Sequence, residues 1–187
     1  MKTEKQYFDE AISLKSYMNQ MTAHKENSAL IYEQFECPKD DEFIKILRDK
    51  KPEILVITED WCGDAMMNNP ILQKITEAAG LDVRAVYRDQ DTDLIDRHLT
   101  NGGRSIPMYL LLGEDGEVIA KWGPRAASLQ EYVMELRASL PPKDTPEFEE
   151  KQKAFIARIT AEYTTKPELW LTVYEDIRKT FLPVLQN

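Results

Sequence analysis

The segment 59–70, EDWCGDAMMNNP, is the stretch from which the fold of this chain is inferred. It follows the run EILVIT at 53–58, whose β-branched residues are typical of a buried strand. From Asp64 to Ala79 apolar side chains recur at helical spacing, and Gly80 is a natural end for that helix. Cys62 therefore lies between a strand and a helix start, where unpaired backbone N–H groups and the helix dipole favour a thiolate.

The segments around this stretch predict an alternation of helices and strands. Residues 4–36 read as helical, with Leu14, Tyr17, Met18 and Met21 on one face. Further helices are predicted at 39–51 and, as a short one, at 91–99. Strands are predicted at 81–87, 106–112 and 117–122, the last two joined by a turn at 113–116. A last helix of this region opens on the capping box SLQE at 128–131 and runs to about Leu140.

The run PPKDTP at 141–146 is the best linker in the chain, and it divides the chain into three predicted parts. These are an N-terminal helical extension at 1–39, an α/β core at 40–140 and a C-terminal helical pair at 141–187. Thr145 and Pro146 predict the N-cap and first turn of the first C-terminal helix. The second has the apolar stripe Trp170, Val173, Ile177 and Phe181, so each helix is expected to pack on another surface.

The charge of the chain argues against partners with anionic surfaces. The 187 residues carry a formal charge of −9, which disfavours binding to nucleic acid or to membranes. The first residues are charged throughout and resemble no secretory signal, so a cytoplasmic protein is expected. Two cysteines, Cys37 and Cys62, make neither a disulfide framework nor a metal site.

The order of these elements resembles the thioredoxin family. WCGDA at 61–65 is similar to the W-C-G-P-C of that family, and Pro70 falls where the family kinks its active-site helix. GGRSIPMYLLL at 102–112 resembles the loop and strand with the family's cis-proline, which would make Pro107 cis, and GEVIAKWG at 116–123 resembles its final hairpin. The resemblance implies an α/β fold, a thioredoxin-like three-layer sandwich of about four strands with extra N-terminal and C-terminal helices. No segment is assigned to the family's usual first strand, and the N-terminal helices are a candidate replacement for it.

The same resemblance implies a site around a single thiol. Cys62 would be the nucleophile, and the backbone before Pro107 would pair with an extended substrate. The implied substrate-binding residues are Trp61, Gly63, Asp64, Ile106 and Pro107. No metal or cofactor is expected, and the expected partners are a protein or a low-molecular-weight thiol or disulfide, with a homodimer as a further possibility.

Three positions depart from the family pattern and affect this interpretation. Ala65 replaces the second cysteine, so the chain lacks the thiol that resolves a mixed disulfide in a dithiol reductase. Val56 stands where the family often buries an acid beneath the cysteines. The carboxylate of Asp64, close to the sulfur in sequence, opposes the thiolate and offsets the helix dipole, so the sequence leaves the pKa of Cys62 open.

Three functions are compatible with these residues. Cys62 acts as a single-thiol nucleophile that forms mixed disulfides, or the chain is a redox-inactive module that binds a partner through the Pro107 face. A third idea comes from single-thiol glutaredoxins, which can hold an iron–sulfur cluster between two subunits. Structural roles are favoured for the other candidates. Cys37 is expected to be a helix-end residue rather than a resolving thiol, and His24 and His98 are expected to be surface or packing residues. The acids of 88–93 are expected to cap a helix rather than form a calcium loop, and Arg125 is expected to be a solvated side chain rather than a partner for a carboxylate or thiolate.

Overall fold

The computed structural model describes residues 1–187 and contains one five-stranded sheet covered by helices on both faces. The strands are β1 (Ile12–Ser13), β2 (Glu53–Thr58), β3 (Val83–Tyr87), β4 (Met108–Leu112) and β5 (Val118–Trp122), in the order β1-β3-β2-β4-β5. The helices are α1 (Glu4–Glu10), α2 (Leu14–Gln20), α3 (Lys25–Gln34), α4 (Phe43–Lys50), α5 (Gly63–Ala79), α6 (Thr92–Asp96), α7 (Ala127–Ala138), α8 (Phe148–Thr165) and α9 (Pro167–Leu185). None of these helices combines the length and apolar character that a membrane span requires.

The β2 strand is the centre of the sheet, as its apolar run predicts. It pairs in parallel with β3 and antiparallel with β4, and five of its six residues are buried. Because both faces of such a strand are covered, the core forms two clusters. One cluster contains 32 buried residues and includes Val56, and the other contains 12 and includes Leu55 and Cys62. The prediction of a thioredoxin-like three-layer α/β fold is confirmed.

The prediction of a continuous helical region over 4–36 is wrong. Thr3 caps α1 through a capping box, and the side chain of Ser13 accepts the Ser16 N–H at the start of α2. Between these two helices Ile12 pairs antiparallel with Ala85, which adds β1 to the sheet edge beside β3. The N-terminal segment thus supplies a short first strand rather than a replacement for one.

Two helix starts also differ from their predicted positions. Ser128 lies inside α7, whose N-cap is Ala126, so SLQE is not a capping box. Helix α8 begins at Phe148, because the Thr145 hydroxyl donates to the Pro142 carbonyl oxygen, 2.6 Å away, instead of capping the helix. In both cases a residue that matches a cap pattern does not occupy the N-cap position.

The C-terminal helices pack on the side of the sheet that holds α5. Trp170, Val173, Ile177 and Phe181 are all buried, which confirms the predicted stripe of α9. The larger core cluster combines side chains from residues 1–39, 40–140 and 141–187. The predicted division into three parts stays a prediction, and the C-terminal pair extends the core around α5.

Candidate functional site

Cys62 is the N-cap residue of α5 and lies under the loop that precedes β4. Its backbone is extended (φ −80°, ψ 120°), and its Sγ–H donates to the Ile106 carbonyl oxygen at 3.4 Å. The Ile106–Pro107 peptide bond is cis. Only 8% of Cys62 is exposed. The strand-to-helix turn and the Pro107 loop therefore enclose the thiol between them.

Burial controls the protonation of this thiol. Desolvation and, after it, the nearby charge of Asp64 raise the pKa of Cys62 to about 11. The backbone N–H groups of Ala65 and Asp64 and the charge of Arg125 oppose this effect but do not overcome it. The helix start alone therefore does not bring the pKa of Cys62 below its ordinary value.

Asp64 is held by two partners that come from distant parts of the chain. Its Oδ1 accepts a hydrogen bond from Arg125 Nε at 2.8 Å and another from the Tyr163 hydroxyl at 2.7 Å. The carboxylate and guanidinium side chains are only 13% and 18% exposed. Arg125 also donates through Nη1 to Gln130 Oε1 at 2.7 Å. The prediction of Arg125 as a solvated side chain is wrong, because the turn after β5 places it against α5.

Tyr163 is a site residue that the sequence did not reveal. It belongs to α8 and is 1% exposed, so packing of its ring against the core accounts for its burial. Its hydroxyl is the only signal of a second role, and its partner Asp64 is 99 positions away in the chain. The C-terminal helical pair therefore contributes directly to the surroundings of Cys62.

The exposed part of the site is formed by Trp61 and the start of α5. Trp61 is 51% exposed, and the guanidinium of Arg88 lies 5.1 Å from the centroid of its ring. Arg88 in turn donates through Nη1 to the Arg104 carbonyl oxygen at 2.9 Å. A side chain on Gly63 would meet nothing within 4 Å, so this position faces open space. Trp61 and Gly63 therefore lie on the solvent-facing side of the residues around Cys62.

Gly123 fixes the loop that carries Pro107 from the other side. Its φ is +134°, and a Cβ on this residue would lie 2.1 Å from the Pro107 carbonyl oxygen. Only glycine combines that conformation with so close an approach. The end of β5 and the Pro107 loop are therefore packed backbone to backbone.

An uncharged hydrogen-bond network lies inside the core near the thiol. The Tyr17 hydroxyl and Asn69 Nδ2 lie 3.3 and 3.0 Å from Thr58 Oγ1, and the Tyr109 hydroxyl donates to Asn69 Oδ1 at 2.8 Å. Val56 is fully buried, and no carboxylate belongs to this network. The sequence signal for the network is the pair of asparagines on an otherwise apolar stretch of α5.

The remaining candidates lie away from Cys62. Cys37 packs against the larger core cluster on the other face of the sheet, and burial raises its pKa to about 11. His98 Nε2 is 2.9 Å from Glu4 Oε1, and His24 begins α3. The side chain of Asp91 accepts the N–H of residue 93 as the N-cap of α6. This confirms the prediction that an acid of the 88–93 segment caps a helix.

Comparison with known proteins agrees with this geometry. A thioredoxin family model matches residues 11–139. The chain belongs to the thioredoxin family. The match begins ahead of β1 and ends near the end of α7, so α8 and α9 lie outside it. No curated protein matches the chain significantly.

Two solved structures share the fold of this thioredoxin-family chain over nearly its whole length. One is a protein of unknown function from Pseudomonas aeruginosa, with 16% identity, a TM-score of 0.64 and coverage of 96% of this chain and 99% of that one. The other is an HIV epitope-scaffold, with 16% identity, a TM-score of 0.65 and coverage of 99% and 98%. At this identity the likeness concerns the fold, C-terminal helices included, and carries no function.

Proposed function

We propose that this protein carries out single-thiol disulfide exchange through Cys62. The observation that supports the proposal is the position of the sulfur. It lies at the N-terminus of α5, 3.4 Å from the Ile106 carbonyl oxygen and next to the exposed ring of Trp61. An extended substrate that pairs with the backbone before Pro107 would bring its own sulfur to this point.

The exchange takes place in two balanced steps. The Cys62 thiolate attacks one sulfur of a disulfide, so a new S–S bond forms, the old one breaks, and the leaving thiolate takes up the proton that Cys62 released. A second, low-molecular-weight thiol then attacks the mixed disulfide and regenerates Cys62. This thiol comes from outside the chain, because Ala65 provides no sulfur and Cys37 lies on the other face of the sheet.

The protonation of Cys62 makes the exchange slow at neutral pH and faster in alkaline solution. The chain supplies two kinds of group that favour the thiolate, the backbone N–H groups at the start of α5 and the charge of Arg125. A substrate that opens contact between Cys62 and solvent, or adds positive charge, would strengthen them. We also propose a cytoplasmic location, because the second step needs a supply of small thiol, which a reducing compartment provides.

The test is the formation of a mixed disulfide on the intact protein. In a Cys37→Ser background, incubation with oxidised glutathione at about pH 9 should add one glutathionyl group, detected by mass spectrometry and removed by reduced glutathione. Cys62→Ser in the same background should gain none. A folded Cys62 protein that remains unmodified after prolonged incubation would contradict the proposal.

A second function, a binding module without redox turnover, is favoured by one observation. A dithiol reductase needs a second cysteine and a thiol with a lowered pKa. Here a buried alanine, Ala65, replaces the second cysteine, and the pKa of Cys62 is raised to about 11. This alternative predicts that a bound partner survives Cys62→Ser. The iron–sulfur idea does not fit the residues, because the one available donor is a buried thiol that donates to a carbonyl oxygen, and we derive no step from it.

A further inference from the structure

A cleft of about 490 Å³ opens beside the Pro107 loop. Its walls come from the 100–105 loop, from the end of β5 with Gly123 to Arg125, from one side of α7, and from Asp176 and Thr180 of α9. Clefts of about 300–1,000 Å³ are typical of sites for small molecules. It is not part of the thiol site itself, but the two share the turn that follows β5.

The cleft contains two cations with no partner in the protein. Arg137 is the one arginine of the chain whose side chain makes neither a hydrogen bond nor an ion pair. Lys121, across the cleft, is exposed and also lacks an ion pair. The only acid in the lining, Asp176, accepts the indole N–H of Trp122 at 2.7 Å. In a chain of net charge −9 this is a local excess of positive charge.

Three neutral polar side chains of the cleft have donors to offer a ligand. The side chains of Asn101 and Ser105 make no hydrogen bond within the protein, and both line the cleft. Gln130 uses its carbonyl oxygen to accept from Arg125, which leaves its amide N–H groups free. Free donors and unpaired cations around one cleft match the chemistry of carboxylate recognition.

The cleft is connected to Cys62 through contacts of the backbone. Gly123 packs on the Pro107 carbonyl, and the Ile106 carbonyl accepts from the thiol. Arg125, in the cleft lining, also holds Asp64 at the start of α5. Arg125 therefore contacts both the start of the helix that follows Cys62 and the lining of the cleft.

We propose that this cleft binds the carboxylates of a low-molecular-weight disulfide, and so selects acidic small disulfides as substrates of Cys62. The inference rests on the proposed function, since it names the substrate class of the same thiol. Electrostatic attraction of this kind acts on both binding and encounter, and it weakens as salt is added.

The experiment compares two disulfides in a Cys37→Ser background, oxidised glutathione and the uncharged bis(2-hydroxyethyl) disulfide. The quantity measured is the ratio of their rates of mixed-disulfide formation. In Lys121→Gln/Arg137→Gln this ratio should fall by about tenfold at low salt, the combined effect of two exposed charge contacts. The matched control is Lys143→Gln/Lys153→Gln, which removes two exposed cations outside the cleft and should keep the ratio unchanged.

The outcomes separate this inference from the proposed function. A ratio that is the same in both double variants would overturn the cleft inference while the exchange activity stands. If neither disulfide reacts, calorimetry on Cys62→Ser decides: binding of oxidised glutathione that is lost in Lys121→Gln/Arg137→Gln supports the cleft alone. Binding of a cysteine-free glutamate-rich peptide, but not of oxidised glutathione, would overturn the choice of a small ligand.

Discussion

Replacing Asp64 with Asn should make Cys62 a faster nucleophile at neutral pH. The amide has nearly the same shape and retains an oxygen that accepts from Arg125 Nε and from the Tyr163 hydroxyl, 2.8 and 2.7 Å away in the native protein. The substitution removes the like charge near the sulfur and leaves the charge of Arg125 without its counterion. Both changes favour the thiolate, so the pKa of Cys62 should fall from about 11 by about one unit.

The size of the effect on rate follows from that shift. With a pKa of about 11, about one Cys62 in ten thousand is a thiolate at pH 7, some 300-fold less than for a free cysteine with a pKa of about 8.5. A more basic thiolate is also more nucleophilic, with a Brønsted coefficient of about 0.4–0.5, so the net deficit is about 20- to 30-fold. By the same reasoning, a fall of one unit increases the fraction of thiolate tenfold and the rate by about three- to fourfold.

The assay is the pH dependence of iodoacetamide alkylation in a Cys37→Ser background, followed by mass spectrometry. The matched control is Asp144→Asn, which removes the same charge from an exposed residue in the 141–146 segment. Wild type and control should share one curve, and the midpoint for Asp64→Asn should lie about one pH unit lower. An unchanged or higher midpoint for Asp64→Asn would refute the assignment of Asp64 as a charge that opposes the thiolate.

Three further changes test other contacts of the site. Tyr163→Phe retains the packing but removes a hydrogen bond to the site carboxylate, and urea unfolding should show a loss of about 1.5–3 kcal/mol. Gly123→Ala places a Cβ against the Pro107 carbonyl at positive φ, so it should lower the free energy of unfolding by about 2 kcal/mol or more, whereas an unchanged melting temperature would contradict this packing. The unfolded state loses its Cys62 proton near pH 8.5 and the native state at about 11. In a chain without Cys37, the free energy of unfolding should therefore be unaffected by this group below pH 8.5 and should fall by about 3 kcal/mol between pH 8.5 and 11. The fall should be smaller in Cys62→Ala. Urea unfolding at a series of pH values measures both.

Local patterns predicted the elements whose stability is local, and failed where pairing is made at a distance. The run of 53–58 and the apolar face of α5 identified β2 and the helix that begins after Cys62. The strand β1 was missed because a segment of two residues has no detectable periodicity. Ile12 is in a strand only because it pairs with Ala85 of β3. The positions of Thr145 and Ser128 matched cap patterns, but the turns around them decided where the helices begin.

The part of the candidate site that is formed by residues close together in sequence was predictable. Trp61, Cys62 and Gly63 lie where the strand-to-helix turn was expected, and the loop with Pro107 reaches the sulfur. The protonation of the thiol was not predictable, because it depends on how deeply the loop covers it and on the partners of Asp64. Those partners come from the turn after β5 and from α8, and no sequence pattern links them.

The departures from the family pattern form one consistent chemical setting. Where the family often buries an acid, this chain has Val56 beside a neutral network of Tyr17, Thr58, Asn69 and Tyr109, so the core offers no carboxylate as a proton acceptor. Ala65 removes the second sulfur. A thiol in such a setting needs both its proton acceptor and its resolving thiol from outside. A small thiol–disulfide pair supplies both, because the leaving thiolate accepts the proton and the second thiol completes the exchange. The cleft with Lys121 and Arg137 shares Arg125 with the surroundings of Cys62, which is why we connect it with the same reaction.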